Sequence, residues 1–255
     1  MPTQWIQGVD LSNHQGKVDM KTLAEEGHMA FVIVKCTEGA DFVDPSFKTF
    51  WKQLVGFDVA GDGPVHLLRG AYHFARPDNR GGRAGGEKEA KWFCKTMKAA
   101  GSYDAGALPP ALDWEKWTDT DAETRRNNVE WVRGWLDVVQ SELGRKGMIY
   151  TGVNVWSGTT GNSDDFVDYP LWNVKYKKTG DAPPRIPKSS KKKAWPWTLW
   201  QWSGGKELNY YGKVPGVPGG VADVNRFNGD VKALLRLAKV RRIRHRMRLS
   251  DQPIA

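Results

Sequence analysis

Leu108-Pro109-Pro110-Ala111-Leu112-Asp113-Trp114-Glu115 is the stretch whose reading decides how this chain is built. It reads as a short apolar strand that ends in two carboxylates with one aromatic between them. Side chains alternate along a strand, so Asp113 and Glu115 share a face and Trp114 takes the other. Two acids on one face repel, and each pushes the other's pKa upward. A site obtains in this way a carboxylic acid still protonated near neutral pH and ready to donate a proton. A solvated acidic loop, or an acid capping the next helix, has the same local sequence. What surrounds the stretch decides between them.

Upstream, residues 5–12 read as a first strand ending near Asp10, and residues 31–36 as a β-branched strand buried on both faces. Residues 67–74 form a third. A short helix at 20–26 and a helix opening at Asp44-Pro45, with Phe47, Phe50, Trp51 and Leu54 at helical spacing, lie between them. The glycine-rich run 81–86 reads as a flexible connector before a helix from Glu87 to about Ala100. Downstream, an amphipathic helix runs from Asp121 to a C-cap at Gly144, and residues 148–151 form a fifth strand. The rhythm then changes. Strands at 170–174 and 197–202 are separated by a Lys/Pro-rich loop, and residues 219–225 give an eighth strand before a helix from Asp230.

Five strand–helix repeats followed by three strands with little helix predict an α/β fold: a single irregular TIM-like barrel of eight mostly parallel strands. Its expected limits are residues 1–238, with a basic C-terminal tail at 239–255. The competing architecture, an open doubly wound sheet, needs a phosphate-binding glycine loop after its first strand, and Asn13-His14-Gln15-Gly16 is not one.

In a barrel, the C-terminal ends of the strands converge on one mouth. That mouth would collect Asp10, Glu38, Tyr72, His73, Asp113, Glu115, Tyr150, Trp172, Gln201, Trp202 and Asp223. Carboxylates with stacking rings fit glycoside hydrolysis, which needs an acid at the leaving oxygen and a carboxylate near the positive anomeric centre. A Gly-x-Ser-x-Gly nucleophile elbow and a Gly-x-x-x-x-Gly-Lys phosphate loop are both absent. No metal-binding spacing of His or Cys occurs, so neither a metal nor a cofactor is expected.

Bulk properties agree. The 255 residues include 13 Trp, more than a core needs, which favours an aromatic-lined groove. A net charge of +9 implies an anionic partner. Two cysteines are too few for a disulfide scaffold and read as buried free thiols. Neither a secretory signal nor an apolar run of about 20 residues is visible, so nothing is expected to span a membrane.

The motifs then fall into a known order. Gly8-Val9-Asp10-Leu11-Ser12-Asn13-His14-Gln15-Gly16 resembles the N-terminal signature of glycoside hydrolase family 25, the CH-type lysozymes or N-acetylmuramidases. Val34-Lys35-Cys36-Thr37-Glu38-Gly39 and Gly70-Ala71-Tyr72-His73-Phe74 resemble that family's second and third strands, and Asp113-Trp114-Glu115 its acid pair. Trp200-Gln201-Trp202-Ser203 and Val221-Ala222-Asp223-Val224-Asn225 resemble its last two strands. The match runs from about residue 5 to 228. It implies a barrel of the β5α5β3 type and cleavage of the β-1,4 bond between N-acetylmuramic acid and N-acetylglucosamine in peptidoglycan. By the same resemblance Glu115 is the proton donor, Asp113 its partner at the reacting sugar, and Asp10 and Asp223 complete an acidic floor. Tyr72, Tyr150, Trp172, Gln201 and Trp202 would shape the sugar subsites. Cys36 stands where the family usually has a small residue.

Other features have plainer readings. His14 and His73 are expected to be structural, Glu38 to pair with a cation, and Trp51, Trp92, Trp131 and Trp135 to be core. The lysines between 188 and 193 form a loop that could draw the enzyme to anionic wall polymers. The tail could anchor it to wall or an anionic membrane face. A nucleic-acid- or wall-polymer-binding protein with a non-catalytic sugar-binding barrel is the competing function. An acidic mouth repels phosphates, so nucleic acid is not expected as the ligand. The expected setting is a monomeric, phage-type lysin made in a bacterial cytoplasm and acting on peptidoglycan glycan strands, with a virion-associated lysin or a secreted enzyme whose signal was removed as the alternatives.

Overall fold

In the computed structural model, eight strands close into a barrel with a ninth pinned to its rim. The structure describes residues 5–57, 67–77, 82–101, 103–116, 120–188 and 191–240. The strands are β1 Ile6–Leu11, β2 Phe31–Glu38, β3 Phe42–Val43, β4 Leu68–Phe74, β5 Ala111–Asp113, β6 Met148–Thr151, β7 Leu171–Val174, β8 Trp197–Ser203 and β9 Asp223–Phe227. Around the sheet, β1 is followed by β9, β8, β7, β6, β5, β4 and β2, and a parallel pairing of β1 with β2 closes the ring. Helices α1 Met20–Glu25, α2 Phe47–Val55, α3 Gly82–Ala100, α4 Ala122–Leu143 and α5 Val153–Thr160 follow the first five barrel strands in turn. No helix separates β7 from β8 or β8 from β9 by more than a 3-10 turn among the described residues. The β5α5β3 expectation is met.

Two details differ from the sequence reading. The two-residue strand β3 pairs antiparallel with the end of β2 and lies outside the closed ring. The eighth barrel strand begins at Asp223, and the residues before it, Pro218–Gly220, form a 3-10 turn with positive φ at Gly219 and Gly220. This strand runs antiparallel to both β1 and β8. A parallel return requires a crossover, normally a helix, and the chain supplies none here.

Period-two alternation divides the apolar residues into two cores. Inward-facing Phe31, Ile33, Leu68, Ala111, Met148, Leu199 and Phe227 fill the barrel, and α6 (Val231–Leu237) closes its base with Leu234 and Leu235. Outward-facing Val32, Val34, Leu112 and Ile149 meet the helices, which contribute Trp51, Phe93, Trp131 and Trp135. Cys36 and Cys94 are free thiols buried in this outer layer. Burial pushes the Cys94 thiol up to about 12.

The glycine run 81–86 is not a connector from Gly82 onward; it is the first turn of α3. A Cβ on Gly86 would stand 1.9 Å from the Trp131 carbonyl oxygen of α4. The glycine lets the two helices touch backbone to backbone, and that contact outweighs its poor helix propensity. Trp92 also departs from its expected core position. It is half-buried, and its Nε1 donates to the Phe42 carbonyl at 3.0 Å. No helix among the described residues is long and apolar enough to cross a membrane. The tail beyond residue 240 lies outside the described residues.

Candidate active site

Every barrel strand delivers a polar or aromatic side chain to the same end of the barrel, because parallel strands share a C-terminal face. Asp10, Tyr72, Asp113, Glu115, Tyr150, Trp172, Tyr176, Gln201 and Asp223 line one cavity of about 150 Å³ there. Asp223 arrives by an unexpected route. It is the first residue of β9, and only because that strand is antiparallel does its N-terminal end sit at the mouth.

Eight of the nine residues expected at the site therefore come together. Trp202 does not line this cavity. It follows Gln201, so alternation turns it to the outer layer, where it packs against Tyr211 and 3.9 Å from the Arg226 guanidinium. Two residues were missed. Tyr176 lies just past β7 in a loop without periodicity. Asn225 was visible in the last strand's motif, two positions from Asp223 and hence on the same face.

A hydrogen-bond network holds the floor rigid. Asp10 Oδ2 accepts from Gln201 Nε2 at 2.9 Å and from Asn225 Nδ2 at 2.8 Å. Gln201 Oε1 accepts from the Tyr150 hydroxyl at 2.9 Å, and Asn225 Oδ1 accepts from Trp172 Nε1 at 2.7 Å. Trp172 Nε1 can only donate, which fixes the orientation of the Asn225 amide. Trp172 stacks edge-on against Tyr150, with centroids 4.8 Å apart, and faces Tyr72 at 6.4 Å.

The four acids share one electrostatic problem. Burial, then repulsion from Asp223, holds the Asp10 carboxyl well above the usual range, against the pull of its two amide donors. Asp113 is raised by burial first and by the charges of Glu115 and Asp10 next. Its Oδ1 is buried without a hydrogen-bond partner within the protein. Glu115 sits at the exposed rim. Loss of hydration raises its pKa, with Asp223 adding to the rise and the neighbouring Tyr150 hydroxyl opposing it. Asp223 is raised by burial and restrained by the Gly205 amide at 3.0 Å. Like charges converging in a partly dry mouth favour sharing protons over full ionisation.

The plainer readings hold as well. Trp114 points away from the acids, donates to Thr159 at 2.9 Å and packs on Trp131. His73 is buried between Thr37 at 2.8 Å and Glu89 at 2.9 Å, and burial lowers its pKa. Glu38 pairs with Lys35 and Arg76. Lys188 is tied to Asn162 and Asn154, and Lys192 and Lys193 to Asp164 and Asp168.

A closed barrel whose mouth gathers four carboxylates, amides and stacking rings is the architecture of a glycan-cleaving hydrolase. Residues 9–210 match glycosyl hydrolases family 25, and the chain belongs to that family. It is 30% identical over 241 residues to Lysozyme M1 of Streptomyces globisporus, covering 92% of this chain and 72% of that one. It is 33% identical over 201 residues to the N,O-diacetylmuramidase of Chalaropsis sp, covering 77% and 87%. Among solved structures, the bacterial lysozyme from Streptomyces coelicolor superposes with a TM-score of 0.74 at 28% identity, covering 92% of this chain and 98% of that one. A family GH25 lysozyme from Aspergillus fumigatus does so with 0.68 at 28% identity, covering 92% and 99%.

Proposed function

We propose that this chain is a lysozyme-type muramidase, hydrolysing the β-1,4 bond between N-acetylmuramic acid and N-acetylglucosamine in bacterial peptidoglycan. The observation that carries the reading is the Asp113–Glu115 pair, two carboxyls raised chiefly by burial inside a four-acid mouth lined with aromatic rings. The family membership and the muramidase relatives support the same bond class.

In the proposed reaction Glu115 enters protonated and donates to the glycosidic oxygen as the bond to the anomeric carbon breaks. Water, directly or after the substrate's own N-acetyl oxygen, forms the new bond to that carbon and gives up its proton to re-protonate the site. Asp113 offers its unpartnered Oδ1 to the reacting sugar, which suits it to hold the N-acetyl group against the developing positive charge. The negative charge that the four acids retain while sharing protons favours an oxocarbenium-like state over the neutral substrate. Tyr72, Tyr150, Trp172 and Gln201 bound the cavity in which one sugar is oriented; Tyr176 joins them.

Mass spectrometry of fragments released from purified peptidoglycan tests this directly. Reducing-end N-acetylmuramic acid is the expected product; reducing-end glucosamine, free peptides or anhydro ends would refute it. Glu115→Gln should lower turnover at least about 100-fold, the scale of one general acid. For the basic tail we propose attachment to anionic wall polymers, in keeping with a net charge of +9 borne by a molecule whose mouth is acidic.

A further inference from the structure

The mouth does not end at Asp113. In register, Asp113 of β5 lies beside Phe74 of β4, Phe74 beside Glu38 of β2, and Glu38 beside Phe42 of β3. Paired residues on neighbouring strands point to the same face. The four side chains therefore form one row across the rim, roughly 14 Å long at about 4.8 Å per strand. The opposite alternation is visible too: Thr37 and His73, each one residue earlier, are paired with each other and bonded in the outer layer.

The chemistry along this row is specific. The Phe74 ring lies between two cations, with Lys35 Nζ and the Arg76 guanidinium carbon each 4.8 Å from its centroid. Glu38 binds both, at 2.5 Å to Lys35 Nζ and 2.7 Å to Arg76 Nε. Two cations beside Glu38 make this part of the rim the least acidic stretch of the mouth. Phe42 closes the row at 43% exposure, on a strand of two residues whose other member, Val43, is also exposed. Neither residue gains from core burial. Phe42 is nonetheless held in place, by its pairing to Glu38 and by the Trp92 hydrogen bond to its carbonyl. A fixed, exposed ring continuous with a substrate mouth has the character of a binding surface.

We infer that this row is a distal glycan subsite. Sugar rings beyond the cleaved bond pack on the exposed Phe42 ring, and a carboxylate carried by a muramyl substituent meets Arg76 and Lys35, which Phe74 holds in place. The inference rests on the muramidase reading and extends it from the cleaved bond to the neighbouring sugars.

The test is a binding measurement in a Glu115→Gln background, so that no cleavage occurs. Calorimetry would compare long peptide-free peptidoglycan strands, whose lactyl groups end in carboxylates, with chitin oligomers of equal length and with disaccharides. Phe42→Ala should weaken binding of both long ligands about three- to tenfold, the worth of one aromatic contact, and leave disaccharide affinity unchanged. Arg76→Gln should weaken the carboxylated strands more than chitin. Unchanged affinity of Phe42→Ala for long strands overturns the subsite; equal losses on the two long ligands in Arg76→Gln overturn the carboxylate contact. Unaltered thermal midpoints would establish that both variants are folded. Wild-type cleavage, assayed in parallel on the same strands, bears on the muramidase reading by itself.

Discussion

Glu115 has two neighbours that act on its proton in opposite directions, and this makes its role testable by titration. Asp223 raises its pKa and the Tyr150 hydroxyl lowers it. A general acid must be protonated to act, so activity falls as pH rises through the pKa of Glu115. Asp223→Asn should therefore move the alkaline limb of the pH–kcat/KM profile to lower pH, and Tyr150→Phe should move it to higher pH. Limbs that both stay in place would remove Glu115 from the donor role. Asp113 allows a complementary stability experiment. Its folded pKa is raised, so between the ordinary carboxylate value of about 4 and the raised one the native state holds a proton that the unfolded chain has released. Stability accordingly drops as pH climbs through that window, and the penalty is complete above it. Asp113→Asn should raise the thermal midpoint at pH 7 by a few degrees while abolishing activity, and the gain should vanish below about pH 4.

At the scale of elements, the α3–α4 contact shows how a sequence signal can be read in the wrong sense. A run of glycines near a helix start looks like a flexible connector, because glycine weakens helices by about 1 kcal/mol relative to alanine. The run instead marks where one helix backbone lies against another, and Gly86 has no room for a side chain. Gly86→Ala should thus destabilise the protein by about 1–3 kcal/mol despite its better helix propensity, measured as a lowered midpoint in urea unfolding. The antiparallel β9 teaches a related lesson. Asp223 was placed at the mouth on the premise that every strand ends there; it sits there because its strand begins there. Strand direction is set by the connection, and no local residue pattern in 219–225 encodes it.

For the whole molecule, the acids of the mouth contrast with the basic composition of the C-terminal sequence. The mouth gathers four acids, while Lys239, Arg241, Arg242, Arg244, Arg246 and Arg248 crowd the C-terminal end against Asp251 alone. Lys192 and Lys193 of the 188–193 loop are paired with Asp164 and Asp168, which makes that loop a poorer candidate for long-range attraction than its composition implies. Removing residues 241–255 should weaken sedimentation with purified walls at low salt and leave turnover on short soluble glycans intact. The difference should disappear as salt shortens the Debye length to about 3 Å at 1 M. Equal wall binding with and without the tail would retire the attachment role.

By itself the sequence determined seven barrel strands and the approximate place of the eighth, the acid pair at 113 and 115, and the family, because alternation and strand-end chemistry are local properties. It also separated Trp114 from the acids, since period two needs no tertiary information. Only the tertiary structure decided the rest. Trp202 left the site because its neighbour Gln201 claimed the inward face. Tyr176 entered it from a loop that carries no periodic signal. Asn225 became a clamp on Asp10 because barrel closure sets β9 beside β1, 215 residues apart in sequence. The rim row from Asp113 to Phe42 exists only through cross-strand register, which is fixed by which strands pair and is written in no single segment of the chain.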